Sequence, residues 1–103
     1  MPSSTSVPMI CRYRVKPGRA DEFLGHLKRH WATLNRAGLS SADPATIWRC
    51  EDQAGNVAFI EHFAWKDEAA PRSAHQSPVV MAIWEPMGAL CDDMEFWAAT
   101  PVI

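Results

Sequence analysis

No CxxC pair occurs in this chain, no run of like charges, and no apolar stretch near the roughly 18 residues of a membrane helix. Each absence removes a class of function. Cys11, Cys50 and Cys91 are widely spaced, which reads as reduced core residues rather than a disulfide frame or a zinc site. Ten Lys and Arg against twelve Asp and Glu leave a net charge of -2, so nothing favours nucleic acid or an anionic membrane as partner. The opening MPSSTSVP has neither a basic end nor an apolar stretch and is not a signal peptide. The expectation is a flexible polar leader over 1–8, one domain over 9–103, and a soluble cytoplasmic protein.

What is present is bulk. Hydrophobic residues make up 48% of 103 positions and five are tryptophan, so large side chains dominate one modest core. "MICRYRVK", 9–16, alternates, with Met9, Cys11, Tyr13 and Val15 on one face of a predicted strand. Pro17-Gly18 ends it. Asp21 and Glu22 then suit the first turn of a helix running to about Ala37, with Phe23, Leu27, Trp31 and Leu34 recurring along it. His30 falls on that stripe. "ATIWRCE", 45–51, and "NVAFIEHFAWK", 56–66, predict a hairpin around a loop of about four residues. In its second strand Val57, Phe59, Glu61, Phe63 and Trp65 share a face.

"DEAAPRSAHQ", 67–76, reads as a helical turn broken by Pro71 and followed by a loop. Ser77 and Pro78 make a good N-cap and first helical residue. The helix they open presents Val80, Ile83, Trp84, Met87 and Leu90, with a kink or restart expected at Pro86. "MEFWAATPV", 94–102, predicts a last strand. The order β-α-β-β-α-β is the ferredoxin-like α+β pattern, an antiparallel sheet with two helices on one face. The other face would carry Ile10, Arg12, Ile60, His62, Ala64 and Trp97, too apolar to stay wet. A homodimer, sheet against sheet, is expected to cover it.

Four stretches carry a resemblance across residues 9 to 102: the opening strand with "VKPGRADEF", the long helix bearing Trp31, "FIEHFAWKDEAA", and "AHQSPVVMAIWEP". The chain resembles the dimeric α/β barrel superfamily, and within it the antibiotic-biosynthesis-monooxygenase-like domains. That resemblance implies a pocket between the sheet and the helices, with Cys11, Tyr13, Glu61, Phe63 and Trp65 on one side and Trp31, His30 and the 74–90 segment as roof. Heme-degrading relatives use a strand asparagine, a tryptophan and a histidine ligand. Here Trp65 matches the tryptophan, Cys11 replaces the asparagine, and Ala74 stands at the ligand position with His75 one residue on. The resemblance therefore points instead to the cofactor-free monooxygenases, which need no metal or other cofactor. They deprotonate a planar aromatic or polyketide-like compound inside an apolar box.

On that reading His75 and Glu61 are the candidate catalytic residues, with Tyr13, His30, Trp31, Phe63, Trp65 and Trp84 binding the substrate. Each has a plain alternative. His75 sits beside a helix start that needs no histidine, and Glu61 has a salt bridge to Arg49 or a hydrogen bond to a helix residue open to it. His30 suits a satisfied core-edge position, and the tryptophans suit ordinary burial. Arg12 and His62 read as polar groups of the dimer interface, bonded to each other or to Glu95. The four histidines lack metal-site spacing, since only His26 and His30 form an i, i+4 pair. A non-catalytic dimeric binding or accessory domain, its pocket closed by Trp31, Trp65 and Trp84, is the alternative function.

Overall fold

The computed structural model describes residues 6–103. In chain order it has β1 (Val7–Val15), α1 (Ala20–Arg36), β2 (Thr46–Glu51), β3 (Val57–Trp65), α2 (Ala70–His75), α3 (Pro78–Ala89) and β4 (Cys91–Ala98). The strands form one antiparallel sheet in the order β2-β3-β1-β4. This is the ferredoxin-like α+β arrangement expected from the order of elements, with one short helix more than expected.

Alternation decides which side of the sheet meets the helices. On β1 and β3, Cys11, Tyr13, Phe59, Phe63 and Trp65 are buried, and Cys11 lies opposite Glu61 in the register. Helix α1 supplies Phe23, Leu27, His30 and Leu34 to the same core, spaced by three or four residues along one face. Asp21 and Glu22 sit at its positive end. Gly38, at φ 76°, turns the chain where a side chain would be strained. The main-chain N–H of Leu39 then donates back to the Leu34 carbonyl at 2.9 Å.

Several boundaries differ from expectation, each for a local reason. Strand β1 begins at Val7, inside the expected leader, because Val7 and Pro8 continue the pairing with Trp65 and Ala64; residues 1–5 of that leader lie outside the described residues. Pro71 opens α2 instead of breaking a turn, since its fixed φ and missing N–H suit the first helical turn. Asp67 Oδ1 accepts from the Ala69 and Ala70 main-chain N–H groups just before it. Pro86 lies inside an uninterrupted α3. β4 starts at Cys91, three residues early, and ends at Ala98, because its pairing with β1 shifts register between Arg14 and Val15 and takes in Cys91. Of the three cysteines only Cys11 is a core residue; Cys50 is exposed and Cys91 half-buried. Among the described residues no helix is long and apolar enough to cross a membrane.

Among the described residues nothing covers the second face of the sheet. Ile10 pairs with Trp97 and His62, and Ile60 with Trp48 and Arg12, so these side chains share that face. Trp48 and Trp97 are 52% and 46% exposed. Arg12 holds Glu95 through Nε at 2.6 Å and Asp93 through Nη2 at 2.7 Å. The expected Arg12–Glu95 contact is therefore present, with Asp93 as second partner, and these carboxylates hold the guanidinium pKa above its ordinary value.

Candidate functional site

Between the inner face of the sheet and the helices lies an open cavity of about 500 Å3. Met9, Cys11 and Tyr13 of β1, with Phe63 and Trp65 of β3, make its floor, and Trp84 and Met87 of α3 close it from above. Met94 and Phe96 of β4, partly exposed, border it with the exposed Glu68 and His75. Its surface is overwhelmingly apolar, and no lysine or arginine lines it.

Behind this wall runs a chain of four hydrogen-bonded side chains from four elements. The Trp84 indole Nε1–H donates to His30 Nε2 at 2.8 Å. That bond decides the tautomer: Nε2 must be the acceptor, so the proton of the neutral ring sits on Nδ1. His30 Nδ1 lies 2.8 Å from Glu61 Oε2 and 3.0 Å from Oε1, so this N–H donates to the carboxylate. The Tyr13 hydroxyl donates to Glu61 Oε1 at 2.7 Å. Both partners of Glu61 are donors, the pattern of an ionised carboxylate. It is fully buried and His30 nearly so, and without these donors the charge would be costly there.

The buried carboxylate acts on its neighbours. Burial, the charge of Glu61 and interaction with Cys11 hold the Tyr13 phenol pKa well above its ordinary value. Burial, reinforced by Glu61, pushes the Cys11 thiol up to about 12, against a smaller lowering effect of its contact with Tyr13. Both stay protonated near neutrality. Cys11 is a poor nucleophile here, since the thiolate is the reactive form.

Of the eight candidate residues, the structure brings His75, Tyr13, His30, Phe63, Trp65 and Trp84 to the cavity wall. His75 is exposed at the edge, its ring 5.0 Å from that of Trp84. Glu61 does not reach the wall itself and touches it only through His30 and Tyr13. Its partners are these two, not Arg49, which pairs with Glu51 at 2.9 Å. Trp31 is not on the wall: one step beyond His30 on a helix is a rotation of about 100°, which turns it aside. It packs against the core half-buried, its indole N–H without a hydrogen-bond partner among the described residues. His26 does not join His30; it lies 3.1 Å from Arg29 Nη2.

The Trp84–His30 bond and the walls supplied by Glu68, Pro71, Met94 and Phe96 go beyond the sequence reading. Trp84 and Met87 did stand on the apolar stripe of α3, and Met94, Phe96 and Ala98 alternate. Nothing local says that an indole from α3 meets an imidazole from α1, 54 positions away.

No protein-family model and no curated protein sequence matches the chain. Solved structures do. SnoaB, a cofactor-independent oxygenase from Streptomyces nogalater, superposes with a TM-score of 0.67 at 22% identity, over 96% of this chain and 97% of that one. A candidate antibiotic biosynthesis monooxygenase from Nitrosomonas europaea gives 0.71 at 8% identity, over 99% and 95%. A second such candidate, from Bacteroides thetaiotaomicron, gives 0.66 at 21% identity, over 96% and 91%. At these identities the likeness is one of fold. The chain shares with these solved structures the ferredoxin-like α+β fold, a four-stranded antiparallel sheet with its helices on one face.

Proposed function

We propose that this protein is a cofactor-independent monooxygenase acting on a planar aromatic or polyketide-like compound held in the cavity. One observation carries the reading: an open apolar cavity has an imidazole backed by a buried carboxylate on its inner wall. About 500 Å3 suits a flat molecule of two or three fused rings, within the range of small-molecule sites. Trp65 and Trp84, with Phe63, offer ring faces and edges on its walls. The accessory-domain reading needs the tryptophans to fill this space, and these two stand on its wall instead.

The chemistry asks little more. A weakly acidic anthrone or phenol loses a proton, and the electron-rich anion passes one electron to dioxygen. The two radicals combine as a peroxide anion, which takes the removed proton back to become a hydroperoxide, and loss of water leaves a carbonyl where a CH2 group stood. Each turnover consumes one dioxygen and releases one water. Glu61 serves the proton step through His30, which faces the ligand, while His75 contacts its outer edge. The apolar walls exclude water from the anion. A second copy covers the open sheet face, completing a barrel whose two cavities lie on its outer sides.

Oxygen uptake with dithranol, in the presence of a chelator and without flavin, tests this. The expected result is a rate well above spontaneous oxidation, falling by roughly 100-fold or more in Glu61→Gln. A wild-type rate equal to the spontaneous one across a set of anthrones and hydroquinones would refute it.

A further inference from the structure

The bond between Trp84 and His30 is a polar seam in the inner wall, and its two ends are complementary. Nε2 of His30 accepts and Nε1–H of Trp84 donates, 2.8 Å apart. We propose that a ligand hydroxyl inserts into this bond, and that His30 and Trp84 together hold its oxygen as the anion. This rests on the cavity being the ligand site, as above, though not on any turnover there.

A hydroxyl is the group that fits such a seam without leaving anything unpaired. It donates to Nε2 while its oxygen accepts from Nε1–H. An ether or ketone oxygen would accept from the indole and leave Nε2 facing a group with no proton. Two hydrogen bonds to one oxygen need the nitrogens roughly 4.6 Å apart, so Trp84 must swing outward. Trp84 is half-buried, its ring meeting Trp65 and His75 edge-on at centroid distances of 6.5 and 5.0 Å.

Once seated, the O–H bond breaks and its proton goes to Nε2. The imidazolium keeps its Nδ1–H on Glu61, so it lies between two anions, carboxylate and ligand oxygen. The oxygen then accepts from Nε2–H and Nε1–H together. Ligand and site carry a net charge of -1 before and after, because the proton moves inside the site. The remaining titratable groups on the cavity are Cys11, Tyr13, Glu68 and His75. The first two are held protonated, Glu68 is acidic, and His75 stands exposed at the edge. No lysine or arginine is present to hold an anion instead. The ligand class is therefore a neutral planar phenol or enol that brings its own proton.

2-Hydroxyanthraquinone tests this apart from turnover, since it is already oxidised and its visible spectrum reports its ionisation. Titrated into the wild-type protein one pH unit below its midpoint in free solution, it is expected to bind with the spectrum of the anion. 2-Methoxyanthraquinone is expected to bind roughly tenfold or more weakly. Trp84→Phe and His30→Gln should each return the bound dye towards its neutral spectrum and weaken it by roughly 10- to 100-fold. Dye bound as the neutral form, equal affinity for both compounds, or no binding by the wild type would each overturn the proposal. These outcomes come from the wild type, so a variant that fails to fold does not shield it. An anion seated in the seam without oxygen uptake on dithranol removes only the monooxygenase reading. Uptake with the dye bound neutral removes only this one.

Discussion

Replacing Tyr13 by phenylalanine deletes one oxygen from the middle of the core and should be felt strongly. That oxygen donates to Glu61 at 2.7 Å, and the carboxylate beyond it is fully buried. A hydrogen bond to a charged group contributes about 1.5–3 kcal/mol, against about 0.5–1.5 for one between neutral groups. Among the described residues, His30 would remain as the only side-chain donor to Glu61. Since Tyr13 lines the cavity, a water reaching in from there would recover part of the loss, which sets the expectation near 2 kcal/mol. For a domain of this size the melting temperature should fall by roughly 8–16 °C.

The size of the loss does not by itself reveal the charge, and a double-mutant cycle does. In Glu61→Gln the amide oxygen accepts from His30 and the NH2 group turns to the tyrosine oxygen, so the second bond is neutral. Tyr13→Phe made in that background should cost about 1 kcal/mol, leaving a coupling of about 1 kcal/mol between the two sites. Urea denaturation of all four proteins, with equal slopes, measures it. A cost below about 0.5 kcal/mol in the wild-type background, or no coupling, would refute the ionised carboxylate argued from the hydrogen bonds.

Alkaline pH should unfold the protein early. The Cys11 thiol stands near 12 when folded against 9.0 ordinarily, so its contribution is intact below pH 9 and is lost as pH rises towards 12. Each group raised in this way, Tyr13 included, steepens the fall by up to about 1.4 kcal/mol per pH unit, read from urea midpoints between pH 8 and 11; a flat profile would contradict it. Under native conditions at pH 8, iodoacetamide should label Cys50 far faster than Cys11, which is buried, or Cys91, whose thiol is pushed up to about 11; peptide mass spectrometry decides. Ser77→Ala removes the acceptor for the Val80 N–H at the start of α3 and should cost about 1 kcal/mol in urea denaturation. Ile60→Asp places a charge at the centre of the open sheet face and should turn a micromolar dimer into a monomer by sedimentation, while a wild type already monomeric there would refute the sheet-to-sheet pairing.

The parts of this molecule that could be read from sequence are those governed by neighbours along the chain. Alternation from Met9 to Val15 and from Val57 to Trp65 put Tyr13 and Glu61 on one face, because a strand's side chains must alternate. Helical spacing put His30 on the buried stripe with Leu27 and Leu34. The misreadings sit where a local rule has two outcomes. Pro71 can end a turn or begin a helix, and the nearby Asp67 carboxylate, accepting from two main-chain N–H groups, tips it towards beginning one. Trp31 falls four residues after Leu27 and three before Leu34, so spacing alone puts it on the stripe with His30, and the rotation of about 100° between the two leaves His30 buried on the wall and Trp31 half-buried beside it.

The rest was illegible because it depends on distance in sequence. Glu61 in isolation offers a salt bridge, a raised pKa or a catalytic acid with equal ease. What selects among them is an imidazole 31 residues earlier and a phenol 48 residues earlier, both aimed at it by separate elements. The orientation of that imidazole is settled in turn by an indole 54 residues later, which blocks one nitrogen and forces the proton onto the other. Each member restricts the next, so the protonation pattern belongs to the four side chains jointly. An apolar cavity can then sit against a buried charge at little cost. The charge is satisfied from within the wall, and the surface the wall turns to the cavity stays overwhelmingly apolar.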